Sequence, residues 1–264
     1  MTKTQHLSPL TKTDGRFLFQ HEVIGRHKAK YFIDDSVGYI WAANPTWLDE
    51  AYSDAIALTD TGVFARNLRN IKAVSAILRY NKMPAARGID IGAGYGLFVR
   101  GMRDIGHDFY WSDLYADNLV ARGFEADQGV FDVAVAFEVL EHLPNPLDFL
   151  IESRATYNWT TLIFSATCFD KEDVPGTDWW YWAFETGQHI SFFSYQCLEF
   201  IAEKLGLYLV HLTGDLYAFV DHPQFTWPAH KWTRSLLRLR YKRASLIQAD
   251  YEEMKARLQT SNNS

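Results

Sequence analysis

From Ala86 onward, short apolar strands alternate with helical stretches, which predicts an α/β domain with a largely parallel sheet and helices on both faces. Three observations carry this. A strand runs into glycines and then a helix at Gly88-Ile-Asp-Ile-Gly92-Ala-Gly94-Tyr-Gly96. Phe131–Phe137 (FDVAVAF) reads as a buried strand. Tyr208–Leu212 and Leu216–Val220, joined by Thr213-Gly214-Asp215, read as a final hairpin, so the last strand enters antiparallel.

The elements follow in order. Residues 1–30 are polar and predict a loose arm. Tyr31–Tyr80 is rich in aromatics and turns helical over Val63–Tyr80, where Val63, Phe64, Leu68, Ile71, Val74, Ile77 and Leu78 recur near a 3.6 period. This predicts a helical N-terminal extension, a lid before the main domain. Gly88–Ile91 is a strand, Leu97–Ile105 a helix closed by Gly106, and Phe109–Ser112 a second strand. The stretch before Phe131 has room only for a stub of strand around 123–126. Asn145-Pro146 is an N-cap and N1 pair that opens a helix through Arg154. Thr161–Ser165 is a strand, and Ser194 caps a helix ending at Leu205-Gly206. The boundaries expected are an arm and aromatic-rich extension over 1–60, the main domain over 61–225, and a C-terminal tail over 226–264.

Of 264 residues, 48% are apolar and 22% charged, which suits a globular chain with a sizeable core. The 26 Lys+Arg against 32 Asp+Glu weigh against nucleic acid as a partner. Cys168 and Cys197 give neither a disulfide framework nor a metal knuckle. There is no membrane-length apolar run and no apolar signal core near Met1, so a cytoplasmic location is expected. The segment 231–243 carries six basic residues and no acid, with Trp232, Leu236, Leu237, Leu239 and Tyr241 among them. It reads as a solvated basic helix, or as a peripheral contact with an anionic surface.

Alternate glycines at 92, 94 and 96 let the backbone turn sharply and approach a ligand closely. Leu97 stands where a dinucleotide fingerprint has its third glycine, which weighs against pyrophosphate. Asp90, before the loop, suits an ammonium group. Asp113 ends the second strand, 21 residues after Gly92, and suits either ribose hydroxyls or the capping of the next turn.

These features resemble the class I S-adenosylmethionine (SAM)-dependent methyltransferases. Gly88–Gly96 is similar to their first motif, and Asp113 to the acid closing their second strand. Phe137-Glu-Val-Leu-Glu-His-Leu-Pro-Asn-Pro146 and Gly187-Gln-His-Ile-Ser-Phe-Phe-Ser194 resemble the branch with ubiquinone-biosynthesis O-methyltransferases. The resemblance implies a Rossmann-like sheet of seven strands with the last antiparallel. It implies SAM as cofactor, with its methionine part against Asp90, Gly92, Ala93, Gly94, Tyr95 and Gly96. Asp113 would then hold the ribose, with Phe137 and Glu138 bordering the cofactor.

On the acceptor side, Glu138, Glu141 and His142 form E-x-x-E-H, which lies on one face if the backbone turns helical there. His189 could join them, and the four could hold a divalent cation such as Mg²⁺ or Mn²⁺, as in the small-RNA 2′-O-methyltransferases, which look similar here. Without a cation, His189 is the candidate general base, with Glu141 and His142 beside it. Trp179-Trp-Tyr-Trp-Ala-Phe184 could stack on sugar rings or pack on itself. The sequence therefore predicts O-methylation of a sugar or glycan hydroxyl. A small aromatic, quinol or amine acceptor is the alternative. A nicotinamide oxidoreductase and a non-catalytic binding module are the more distant ones.

Overall fold

The structure is a computed structural model that describes residues 6–52, 59–228 and 244–261. Its main sheet has six strands: β4 (Gly88–Ile91), β5 (Phe109–Ser112), β6 (Val133–Ala136), β7 (Thr161–Ser165), β9 (Tyr208–Thr213) and β10 (Leu216–Val220). The order is β5-β4-β6-β7-β10-β9. The first four run parallel, and β10 pairs antiparallel with both β7 and β9. The expected final hairpin and its antiparallel strand are present.

The strands show why both faces must be covered. Ala134, Ala136, Leu162, Phe164, Tyr217 and Phe219 point to one core. Val133, Val135, Ile163, Leu216, Ala218 and Val220 alternate to the other. The first core is closed by α4 (Pro146–Tyr157) and α5 (Tyr195–Leu205), the second by α2 (Val63–Tyr80) and α3 (Leu97–Asp104). The Ser194 hydroxyl caps α5 by accepting from the Cys197 N–H at 3.1 Å.

Three expectations need correction. Among the described residues the sheet has six strands, not the seven expected. Where a seventh would lie, Trp111 makes a single parallel bridge to Glu125. The chain turns left-handed at Gly123 and again at Gly129, so no longer strand forms there. Over its described residues 6–30 the arm is not loose, and the N-terminal extension is not a helical lid. Arg16–Val23 (β1), His27–Asp34 (β2) and Tyr39–Ala43 (β3) form an antiparallel meander. Ala29, Tyr31 and Ile33 alternate into a third core with Trp182 and Phe192, while Phe32 faces the first core. Burial of both faces hides the period-2 pattern behind the aromatic content. The fourth strand of this sheet is β8 (Ser191–Phe193), paired with β3. Helix α2 forms where expected, and it packs on α3 rather than standing before the domain; its Phe64 and Leu68 stay exposed. A short helix α1 (Leu48–Ala51) precedes it.

No described helix is long and apolar enough to cross a membrane. The basic stretch 231–243 lies outside the described residues. Beyond it, α6 (Ile247–Ser261) docks on α3 through Asp250. Its carboxylate accepts from Arg103 Nη2 and Nε at 2.8 and 2.9 Å and from Arg100 Nη2 at 2.8 Å. Asp250 and Arg103 are both buried. Removing one partner of a buried pair leaves the other charge uncompensated, so Asp250→Ala should lower unfolding stability by about 3 kcal/mol in denaturant titration. A loss below about 0.5 kcal/mol would place the stability of the domain elsewhere.

Candidate active site

The loop after β4 is built for close approach. Gly96 adopts φ +86°, and an added Cβ there would strike Asn118 Oδ1 at 2.8 Å and Ala121 at 3.0 Å. Gly94 is also left-handed, yet a Cβ there would meet nothing within 4 Å. The loop is therefore locked on one side and open at Gly94. The Gly92 and Ala93 N–H groups donate to the Ser112 carbonyl at 2.9 and 3.2 Å. The Tyr95 carbonyl accepts from the N–H groups of Leu119 and Val120. Trp111 Nε1 donates to the Gly94 carbonyl at 2.7 Å, a contact no motif announces.

Asp113 lies against this loop. Its Oδ2 accepts from the Gly94 N–H at 2.8 Å, and its Oδ1 accepts from the N–H groups of Tyr115 and Ala116 at 2.8 and 2.9 Å. Asp113 therefore caps the following turn, one of its two expected uses, and sits at the open edge of the glycine loop. Asp90 is buried, and burial together with the Asp113 charge pushes its carboxyl well above the usual range. Phe137 packs edge-on against Phe98, with ring centroids 5.2 Å apart.

Past β6 the backbone turns left-handed at Glu138, φ +56°, which is uncommon for a side chain of this kind. Ser165 holds the turn: its Oγ accepts from the Glu138 N–H at 2.7 Å and donates to Glu138 Oε1 at 3.0 Å. The short 3₁₀ turn Leu140–His142 begins only after this kink. Glu138 is therefore not on one helical face with Glu141 and His142. It points to Ser165 and lies 3.9 Å from Arg66 Nε.

What does converge is Glu141, His142 and His189, with one donor atom of each within 4.8 Å of the others. Each is also tied from behind. His189 Nδ1 donates to the Tyr181 carbonyl at 2.7 Å, so its Nε2 keeps a lone pair in the neutral ring. The Tyr181 hydroxyl donates to Glu141 Oε1 at 2.9 Å. His142 Nδ1 shares a hydrogen bond with the Tyr52 hydroxyl at 2.8 Å. Glu141 Oε2 is buried and has no partner among the described residues. Burial, then the nearby Glu138, pushes the Glu141 carboxyl up to about 8. Burial pushes both imidazoles down, His142 further by His189.

Tyr52 and Tyr181 were not among the expected site residues. Tyr52 is 90 positions from His142 in sequence, and no spacing rule links the two. Tyr181 was visible only as part of the aromatic loop. That loop mostly packs on itself: Tyr181 and Trp182 are buried in the third core, and Trp180 is 73% exposed.

The raised Glu141 carboxyl fixes the sign of a pH effect. The folded state holds this proton more tightly than the unfolded chain, so the cost of Glu141 is small near pH 4.5 and grows as pH rises to about 8. Glu141→Gln should therefore raise Tm over the parent, with a gap that widens from pH 5 to pH 8 in melting curves. A constant gap would mean that the carboxyl is not perturbed.

A family model described as a methyltransferase domain matches residues 60–212. No curated protein sequence matches the chain. Among solved structures, the chain is similar to a magnesium protoporphyrin IX methyltransferase from Synechocystis with bound S-adenosylhomocysteine (SAH), at 14% identity and TM-score 0.44, covering 66% of this chain and 91% of that one. It is similar to PigF with SAH, at 16% identity and TM-score 0.49, covering 66% and 61%. It is also similar to mitomycin 7-O-methyltransferase, at 17% identity and TM-score 0.46, covering 67% and 60%. The matched span is more than half of its length, and the chain belongs to the methyltransferase-domain family.

Proposed function

We propose that the chain transfers the sulfonium methyl of SAM to a hydroxyl oxygen of a sugar or glycan-type acceptor. The observation that carries this is His189: its Nδ1 is committed to the Tyr181 carbonyl, and its Nε2 lone pair is free beside Glu141 and His142. The acceptor oxygen attacks the methyl carbon, the C–S electron pair stays on sulfur to give SAH, and the hydroxyl proton passes to His189 Nε2. Burial keeps this imidazole neutral and ready to accept a proton at neutral pH. The chain's remaining work is positioning.

The residues present fit SAM. The uncrowded face of Gly94 leaves room for the cofactor, Asp113 offers a carboxylate beside it, and Asp90 is a buried acid whose pKa an ammonium neighbour would lower again. Exposed Trp180 offers a ring face to a sugar. In calorimetric titration, SAM and SAH should bind the parent, and Asp113→Ala should weaken both by about tenfold or more, the scale of a lost charge-assisted hydrogen bond. Unchanged binding would remove Asp113 from the cofactor site.

A second reading is favoured by the orphaned Glu141 Oε2. That oxygen, with one nitrogen each from His142 and His189, fits the donor set of a divalent cation, and Tyr181 and Tyr52 orient the ligands from behind. A bound cation would polarise the acceptor hydroxyl. Glu138, turned toward Ser165, stands outside this set. Chelator-treated protein separates the two readings when tested on a panel of sugars, catechols and amines. With His189 as base, transfer to a sugar hydroxyl survives chelation and is lost in His189→Ala. With a cation, transfer is lost on chelation and returns with Mg²⁺ or Mn²⁺. Transfer only to a catechol, quinol or amine would overturn the sugar assignment.

A further inference from the structure

Two cavities, of about 340 and 240 Å³, lie along strand β3 and share Ala43 and Asn44 as lining residues. Together they form one groove on the N-terminal sheet, outside the residues assigned above. One end is walled by Pro144–Asn145 and Ile190–Ser191. These segments directly follow Glu141–His142 and His189, and the Ile190 N–H donates to the Glu141 carbonyl at 2.8 Å. The other end is lined by His6, His27, Lys28 and Lys30, and by no acid.

The chain carries a net charge of −6 with histidines counted as neutral, yet two lysines and two histidines meet here. His27 is already engaged by Glu50 at 3.0 Å. Lys28 and Lys30 are exposed and make no ion pair among the described residues, although Glu22 stands directly across the β1–β2 ladder from Lys28. Two carboxamides also line the groove with no side-chain hydrogen bond among the described residues. Asn145 stands at the N-cap of α4 without making the cap hydrogen bond, its φ/ψ being −133°/76°. Asn44 is left-handed at φ +47°, and its side chain has no partner among the described residues. Pro45 and Pro144 supply apolar ring faces between them. Amides, small apolar faces and two exposed ammonium groups match a chain of hydroxylated rings that bears anions.

We propose that this groove binds an acidic segment of the acceptor glycan. Lys28 and Lys30 pair with a carboxylate on one sugar, and Asn44 and Asn145 hydrogen-bond the hydroxyls of its neighbours. The proposal rests on the reading of the acceptor as a sugar chain, and it adds that the chain is anionic and is held several residues from the methylated position.

The test is calorimetric titration of the full chain with an oligogalacturonate hexamer, its fully methyl-esterified form, and a hexaribonucleotide. The acidic hexamer should bind, and more weakly as salt rises from about 20 to about 200 mM. The neutral ester should bind at least about tenfold more weakly, as should the acidic hexamer to Lys28→Gln/Lys30→Gln, the scale set by two exposed charges. That variant should keep the SAM affinity of the parent, which shows that it is folded. Asn145→Ala should weaken binding of both hexamers alike. The proposal is overturned by no binding of the acidic hexamer, by equal binding of the ester, by an unaffected double variant, or by a hexaribonucleotide that binds as tightly. Binding needs no methyl transfer, so the two readings fail separately. A hexamer that binds without any sugar being methylated keeps the groove and removes the sugar-acceptor assignment. Methylation of neutral sugars with no preference for the acidic hexamer does the reverse.

Discussion

Parallel pairing in register is the constraint on which the site depends. Gly88 of β4 pairs with Phe109 of β5 on one side and Val133 of β6 on the other, so the three strands start level. They are also nearly equal in length and end at one edge. The loops that follow must therefore converge, and they carry the glycine turn, Asp113 and Glu138. Left-handed backbone at Gly92, Gly94, Gly96 and Glu138 then turns the chain away within a few residues. The sheet brings the residues together, and the turns decide which face each one shows.

The acceptor side depends on a different element. Tyr181 uses its carbonyl to fix His189 and its hydroxyl to fix Glu141. It can do both because its own ring is buried in the core beneath the N-terminal sheet, beside Trp182 and Phe192. That sheet therefore acts on the site at one remove, by packing the residue that orients two others. Among the described residues Glu141 is buried with one carboxyl oxygen unpartnered, an arrangement that costs on the order of 1–3 kcal/mol.

Much of the main sheet was legible in the sequence because its signals are local. A glycine pattern, an N-cap serine and a hairpin turn each act over a few residues. Gly96, Ser194 and Gly214 sit as their residue types suggest. The glycine loop and the Glu141–His142 pair were readable for the same reason, whereas His189, 47 positions further on, was placed beside them only by a resemblance of motifs. What stayed hidden was non-local. Strands β1–β3 are buried on both faces or carry long polar side chains, so their alternation is blurred. Tyr52 reaches His142 only through the tertiary fold. Glu138 left the expected group because its backbone turned left-handed, which its residue type does not signal.

The N-terminal sheet also bears on the order of assembly. Its first three strands are complete by residue 43, but β3 has its outer partner only in residues 191–193, in a chain made from the N-terminus. Until that strand emerges from the ribosome, β3 presents an open, apolar edge that any other extended segment can pair with. Closing the sheet also requires contacts across about 150 residues, which places it among slow, non-local folding events. The strand that closes it follows His189 directly, so the candidate site and the N-terminal sheet are completed in the same step.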